Sequence, residues 1–383
     1  MDNKISADLP ITQSQFSPAI IDLGAGEPNQ AVFPLEMLRR AAEERFAQGD
    51  PSFLQYGIEQ GDGYFRLALA QFLSRGYGHP AHPENIFVTA GVSSALDLLC
   101  TLFTQAGDTI FVEETTYFVA PRIFADHHLN IVPIAMDENG IIIESLEKNL
   151  RIHKPKFLYT IPTHHNPTGT TLTEPRRARL LGLAQQFGFL ILADEVYQLL
   201  TYTGIPPKPF AAHIENEHVI SLGSFSKILA PGLRLGWIHA HAKIIKRLVT
   251  SGLLDSGGGM NPFTSAIVRG VIEAGDLEKN IGSLRLRYQN QLSAMDEALR
   301  LHLPEIVYQS PQGGYFLWLR LPENIKAVEL RPRAKSLGVD FRQGNLFSSK
   351  GEAPNYIRLC FAHYDEAYIE QGILRLKECL AGK

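Results

Sequence analysis

Lys227 stands in the segment Ser221 to Trp237, SLGSFSKILAPGLRLGW, with two serines before it and an arginine after it. An amine adds to a carbonyl only when neutral, and a free lysine, with a pKa of about 10.4, is almost wholly protonated at neutral pH. A site that uses Lys227 as a nucleophile must therefore desolvate it or bring a second positive charge close. Arg234 supplies that charge, because the Pro231-Gly232 turn folds the chain back and lets guanidinium and amine converge on one small ligand. Ser224 and Ser226 add two hydroxyls beside the lysine. Such a set suits a phosphate-bearing aldehyde, with Lys227 forming a Schiff base to it.

Two upstream segments supply the rest of such a site. Phe189 to Leu192 is a short apolar run that leads into Ala193-Asp194-Glu195-Val196-Tyr197. It reads as a buried strand of a parallel sheet, and ligands of such sheets lie at the carboxyl ends of the strands. Asp194, at that end, can keep a pyridine nitrogen protonated, the condition under which pyridoxal phosphate acts as an electron sink. At about 4 Å and an effective dielectric near 20, the pairing is worth on the order of 4 kcal/mol. Tyr197 is within reach of the ring's phenolic oxygen. Phe157 to Ile161 is a second apolar run, and the turn formers Asn166-Pro167-Thr168-Gly169 follow it, so Asn166 offers an amide from a tight loop at the same sheet edge. The adjacent His164 and His165 do not read as a metal site. Neighbours in an extended chain point opposite ways, and no cysteine or carboxylate spacing completes a ligand set.

In these segments the chain resembles the pyridoxal-phosphate enzymes of the aspartate-aminotransferase fold, the class I/II aminotransferases, and the similarity runs over nearly its whole length. It extends to IDLGAGEP at Ile21 to Pro28, LQYG at Leu54 to Gly57, TAGVSSAL at Thr89 to Leu96, Thr116-Tyr117, and YIRL at Tyr356 to Leu359. The resemblance implies pyridoxal 5'-phosphate as cofactor, Lys227, Asp194 and Tyr197 as the catalytic residues, and Asn166, Ser224, Ser226 and Arg234 as further cofactor ligands. It places the phosphate on Val92 and Ser93, before an expected helix Ala95 to Phe103, where free amides and the helix dipole favour an anion. Many relatives carry Ser-Gln or Gly-Thr at that point, so at Val92 only the backbone amide is in play. Tyr117 corresponds to the aromatic that stacks on the pyridine. Tyr56 corresponds to a tyrosine that reaches the phosphate of the neighbouring subunit's cofactor, which implies a two-fold homodimer with shared active sites. Arg358 corresponds to the arginine that grips the substrate α-carboxylate through two parallel hydrogen bonds, and Gly26 and Asn166 complete the substrate contacts.

Alternation of short apolar strands (86–89, 109–112, 157–161, 189–193, 218–222, 236–239) with helical stretches (64–74, 176–187) implies an α/β fold with a mainly parallel, helix-covered sheet. After about Leu284 a long charged helix, the strand Gly313 to Leu319 and a further helix and strand read as a smaller α+β domain. The expected organisation is an N-terminal arm over 1–19, a small-domain contribution from 20–45, a large cofactor-binding domain over 46–284, and a C-terminal small domain over 285–383. Gly257-Gly258-Gly259 reads equally as a mobile loop or a tight packing turn.

With 383 residues, 45% hydrophobic and 20% charged, and a net charge of −4, the chain reads as a soluble globular protein with room for two domains. No basic run and a pI near 6.4 give nothing for nucleic acid to bind. The N-terminal MDNKISADLPITQ lacks a basic-then-apolar signal, and no apolar run approaches the roughly 20 residues that span a bilayer, so a cytoplasmic location is expected. Cys100, Cys360 and Cys379 are scattered and read as reduced thiols.

The reaction these parts imply moves the amino group of an α-amino acid to a 2-oxo acid, as in the 2-aminoadipate, kynurenine and aromatic aminotransferases that the motifs most resemble. Other pyridoxal-phosphate reactions, a carbon-sulfur β-lyase or a cyclopropane-forming synthase, would use the same lysine. A regulator that senses the cofactor is a third reading, weighed against by the short stretch before Asp22, where no DNA-binding domain is expected.

Overall fold

A computed structural model describes residues 11–382, so residues 1–10 of the expected N-terminal arm lie outside the described residues. The centre is a seven-stranded sheet in the order Ile86–Thr89, Gly236–Ala240, Val219–Ser224, Leu190–Asp194, Phe157–Thr160, Thr109–Glu113, Asn130–Ile134. All neighbours are parallel except Gly236–Ala240, which runs antiparallel to both of its partners. Successive residues of these strands feed opposite cores. Phe157, Tyr159, Leu192 and Ile220 join helices Gly63–Tyr77 and Val92–Phe103 on one face. Leu158, Ile191, Ala193 and Val219 join helices Ile143–Leu150 and Glu174–Phe187 on the other. Burial on both faces is why the strands read as continuous apolar runs rather than alternating ones.

The edge strand Asn130–Ile134 was not apparent in the sequence, because Pro133 interrupts it. Proline lacks the N–H that a central strand must donate, and an edge position tolerates it. The helix expected from Ala95 starts at Val92, directly after Gly91.

The remaining elements form the smaller layer. Phe316–Arg320, Tyr356–Cys360 and Arg342–Gln343 make an antiparallel sheet with Tyr356–Cys360 in the middle. Helices Ala327–Ser336 and Glu366–Ala381 belong to the same part of the chain. Ile21–Asp22 pairs in parallel with Val339–Asp340, so the segment after residue 20 is stitched to the C-terminal region. Helix Asp276–His302 runs unbroken across positions 284 and 285, where the sequence pattern suggested a boundary. A continuous helix, not a linker, carries the chain from one part to the other.

The triple glycine is a packing turn at its last two residues. The Gly259 amide donates to the Gly57 carbonyl at 2.8 Å. A Cβ on Gly259 would stand 1.9 Å from the Ile58 carbonyl oxygen, and one on Gly258, whose φ is +71°, would stand 2.4 Å from that of Gly57. The three cysteines are buried. Among the described residues no helix is long and apolar enough to cross a membrane, and no group of three or more histidine, cysteine or acidic side chains could hold a metal ion.

Candidate active site

Parallel strands deliver Thr89, Glu113, Thr160, Asp194 and Ser224 to one edge of the sheet, and the reversed strand starts there at Gly236, which faces both Thr89 and Ser224. A Cβ on Gly236 would stand 2.6 Å from the Gly223 carbonyl oxygen and 2.9 Å from the Gly91 Cα. Only glycine lets the turn into helix Val92–Phe103 lie against the strands Val219–Ser224 and Gly236–Ala240.

Asp194 shares a sheet face with Leu192 and with Tyr159 of the adjacent strand. The Tyr159 hydroxyl donates to its Oδ2 at 2.8 Å. Oδ1 is buried and has no partner within the chain, although a buried carboxylate oxygen needs a donor. Burial pushes the Asp194 carboxyl up to about 6, against the hydrogen bonds from Tyr159 and the Val196 amide and the charge of Lys227. A protonated pyridine nitrogen is the kind of donor Oδ1 lacks.

Lys227 reaches the same space. Its Nζ donates to the Gly26 carbonyl at 3.0 Å. Burial lowers its pKa, Arg358 acts in the same direction, and Cys360, Glu27 and Asp194 oppose them. The structure thus supplies the desolvation and second positive charge that the lysine requires, but the nearby guanidinium is that of Arg358. Arg234 lies instead beside the start of helix Val92–Phe103, with its guanidinium on the Ala90 carbonyl.

This region is built around Gly91, the residue before helix Val92–Phe103, with φ +90° and no side-chain cap. The amides of Val92 and Ser93 have no intrahelical acceptor. Arg234, in the left-handed region at φ +47°, donates from Nη2 to the Ala90 carbonyl at 2.9 Å. A Cβ on Gly91 would lie 3.0 Å from that Nη2, so the glycine keeps the cradle open. The Ser224 hydroxyl donates to Ser226 Oγ at 2.9 Å and accepts from the Ser226 amide at 3.1 Å, holding both hydroxyls together. Helix amides, one guanidinium and two hydroxyls fit a phosphate.

Arg358 lies on the strand Tyr356–Cys360 and is 2% exposed. Nη1 donates to Asn166 Oδ1 at 2.9 Å and Nη2 to the Gly24 carbonyl at 2.7 Å. Its Nε is buried without a partner. The guanidinium lies 4.1 Å from the Phe316 ring centroid and 5.0 Å from that of Phe347. Burial pushes its pKa down to about 10. A cation so desolvated, facing only neutral acceptors, is completed by a carboxylate. Gly26 lies against it, since a Cβ there would be 3.2 Å from Nη2.

Tyr197 is buried, with its ring edge-on to Tyr315 and Phe316 at 5.4 and 6.0 Å, and burial raises its pKa well above the ordinary tyrosine value. Tyr117 is half-buried. Burial raises its pKa, and the charges of Asp194, Arg358 and Arg234 all act on it, which puts it among them. Tyr56 does not join this cluster within one chain, and is 80% exposed. It neighbours Gly57, which pairs with Gly259, and the Asn261 side chain donates to the Arg234 carbonyl.

Sequence reasoning missed Tyr159, Tyr315, Phe316 and the Glu113–His165 pair. Glu113 Oε2 accepts from the Ile161 amide at 3.0 Å and lies 2.9 Å from His165 Nε2, while Oε1 accepts from the Thr160 hydroxyl at 2.6 Å. His165 Nδ1 lies 2.8 Å from Thr168 Oγ1. This chain pins the loop that carries Asn166, and it accounts for His165 without a metal. His164 lies 2.8 Å from Thr201 Oγ1. The His165 signal was present in the adjacency of the histidine to Asn166, but its partner lies on another strand.

Residues 18–376 match the family described as aminotransferase class I and II. The chain is 37% identical to aromatic-amino-acid aminotransferase 1 of Thermococcus litoralis, over 94% of this chain and 88% of the relative. It is 31% identical to 2-aminoadipate transaminase of Thermus thermophilus, over 95% and 91%. Its fold superposes on the crystal structure of Pyrococcus horikoshii kynurenine aminotransferase with a TM-score of 0.89 at 35% identity, covering 95% of this chain and 91% of that one.

The raised pKa of Asp194 gives a stability test of the cofactor-free protein. Its native value of about 6 lies above the ordinary 3.8, so its contribution is fully present below pH 3.8 and is lost as pH rises through 6. Asp194→Asn removes that cost, and the gain in stability over the unmodified protein should be about 1 kcal/mol larger at pH 8 than at pH 5. Denaturant unfolding of the apoproteins at both pH values measures it, and an equal or smaller gain at pH 8 contradicts the buried-carboxylate account.

Proposed function

The chain belongs to the class I and II aminotransferases, enzymes of pyridoxal phosphate, and from that premise we propose that it takes the amino group from α-amino acids with an aromatic side chain, in a homodimer whose subunits share active sites. The observation that carries this reading is the buried guanidinium of Arg358. It is oriented by Asn166 and Gly24, lies over the rings of Phe316 and Phe347, and is left with unpaired donor capacity at Nε.

Pyridoxal phosphate supplies an aldehyde for the lysine and a ring that accepts electron density from the substrate Cα. Lys227 would hold the group through Nζ. Freed by the substrate amine, the same Nζ takes the Cα proton, a role that the burial lowering its pKa favours. Asp194 Oδ1 would hold the ring nitrogen, Asn166 and Tyr197 the ring oxygen, Tyr117 the ring face, and Val92, Ser93, Ser224, Ser226 and Arg234 the phosphate. Arg358 receives the α-carboxylate, and Phe316 and Phe347 exclude water from that pair.

Side-chain preference follows from what surrounds the guanidinium. Tyr117, Phe118, Phe347, Trp318 and Tyr356 form a continuous ring ladder with centroid spacings of 5.6, 5.4, 5.6 and 5.3 Å. Arg342, whose charge acts on Arg358, is already engaged by both Asp22 oxygens at 3.3 Å and by Asp340 at 3.8 Å. A distal carboxylate would compete with those pairs, whereas an aromatic ring would not. Relatives named for aromatic amino acids and kynurenine support the same preference.

The dimer rests on Tyr56. It is exposed within one chain, as are its sequence neighbours Leu54 and Ile58, a short stretch of large apolar side chains open to solvent.

Breaking a buried charge pair by truncation costs about 3 to 5 kcal/mol. Arg358→Ala should therefore lower kcat/KM for aromatic α-amino acids by about two to three orders of magnitude, and far less for amines without a carboxylate. Equal losses for both donor kinds would reject the carboxylate role. For the dimer, mixing inactive Lys227→Ala chains with an inactive Tyr56 variant should give hybrids in which one site carries both lesions and the other neither, with partial return of activity. Verified hybrids that stay inactive would confine Tyr56 to its own chain.

A further inference from the structure

Tyr315 is fully buried and has no part in the roles given above. It follows Gly313 and Gly314, which press against the large domain. Cβ atoms there would stand 2.3 Å from the Leu200 carbonyl oxygen and 2.7 Å from the His164 Cβ. The Gly314 amide donates to that Leu200 carbonyl at 3.0 Å, and the Phe361 amide donates to the Tyr315 carbonyl at 3.1 Å. Held from both sides, the Tyr315 hydroxyl donates to the main-chain carbonyl of Lys227 at 3.0 Å, with the Tyr288 hydroxyl 3.4 Å away. Its ring centroid lies 5.4 Å from Lys227 Nζ, and the Tyr197 ring packs edge-on against it. The other charged or titratable groups that act on Nζ are Arg358 and Cys360 of the strand Tyr356–Cys360, Glu27 of the segment after Gly26, and Asp194.

From this geometry we propose that Tyr315 is a positioning residue for Lys227: its hydroxyl pins the main chain of the lysine, and its ring face receives the ammonium that Nζ becomes while it carries the substrate proton. The proposal rests on the role given to Lys227. When the Cα–H bond breaks, the electron pair stays with the substrate and the proton forms an N–H bond on Nζ. That charge arises in a desolvated site that already holds the Arg358 guanidinium, where an unsupported cation is costly. The Gly26 carbonyl gives it one acceptor, and the negative face of the Tyr315 ring gives it a second support that needs no counter-charge. Nζ later passes the proton to the carbon that bore the aldehyde and returns neutral. A ring in this place holds the lysine near its work in both protonation states, which a flexible aliphatic side chain would not.

Tyr315→Phe removes the hydroxyl and Tyr315→Leu removes the ring, with Tyr315→Met as the ring-free substitute if the leucine variant does not fold. Each is assayed as holoenzyme with an α-deuterated aromatic amino acid. Each is also assayed as apoenzyme, for the pH dependence of the rate at which added pyridoxal phosphate gains its protein-bound visible absorbance, which follows the ionisation of Lys227. Tyr315→Phe should lower kcat by about tenfold to a hundredfold with little change in KM, enlarge the deuterium isotope effect, and leave the pH midpoint in place. The ring-free variant should show the same kinetic change and a midpoint lower by about half to one pH unit, because the ammonium has lost its support. Lys227→Ala is run in parallel. If it turns over normally, the lysine assignment and this proposal fall together. If it is inactive while the Tyr315 variants keep the parent isotope effect and midpoint, the Tyr315 proposal alone is overturned.

Discussion

In the proposed mechanism a lysine that must be neutral works beside a carboxylate that must be charged, and the rest of the architecture bears on that opposition. Burial pushes both groups toward their uncharged forms, lowering the Lys227 pKa and raising that of Asp194 to about 6. For the lysine this is useful as it stands. For the aspartate it is a cost that the fold accepts, since Tyr159 and the Val196 amide offset only part of it and Oδ1 is left without a donor. A site left incomplete in this way favours a ligand that completes it, and in the proposed reading that ligand is a ring nitrogen carrying a proton.

Two layers of the fold meet at this point, and each contributes what the other cannot. The parallel sheet presents Asp194, Ser224 and the Asn166 loop from the ends of buried strands, which are rigid because both faces are packed. The smaller sheet brings Arg358, and the contact between the layers is specific: Arg358 reaches across to Asn166, and the Thr116 amide donates to the Phe347 carbonyl at 2.8 Å. The guanidinium proposed to receive the substrate carboxylate is therefore in hydrogen-bonded register with the loop proposed to face the cofactor. Glu113 and His165 hold that loop from beneath.

Much of this was readable in the sequence, and the reasons for success and failure are physical. Lys227, Asp194 and Asn166 each sit in a local pattern, an apolar strand that ends in turn or polar residues, so position along the chain predicted position at the sheet edge. Arg358 was identified by resemblance and by the oddity of a guanidinium in a buried strand. The partners that tune them were not readable, because Tyr159 to Asp194, Glu113 to His165 and Tyr315 to Lys227 are pairs from separate elements that no local periodicity signals. Nearness in sequence points to Arg234 as the charge near Lys227, whereas the leading guanidinium acting on it in the folded chain, Arg358, comes from a distant strand. Pro133 hid an edge strand, and the end of the triple glycine was resolved only by the backbone of residues 57 and 58 that lies against it.

The central claim is that one amine, Lys227 Nζ, carries the cofactor. Reducing the holoenzyme with borohydride, digesting it and locating the fixed pyridoxyl group by mass spectrometry tests this directly. The account predicts the group on the peptide that contains Lys227, in stoichiometry with bound pyridoxal phosphate. Its appearance on any other lysine, or the absence of a fixed group from an enzyme that is active, would contradict it.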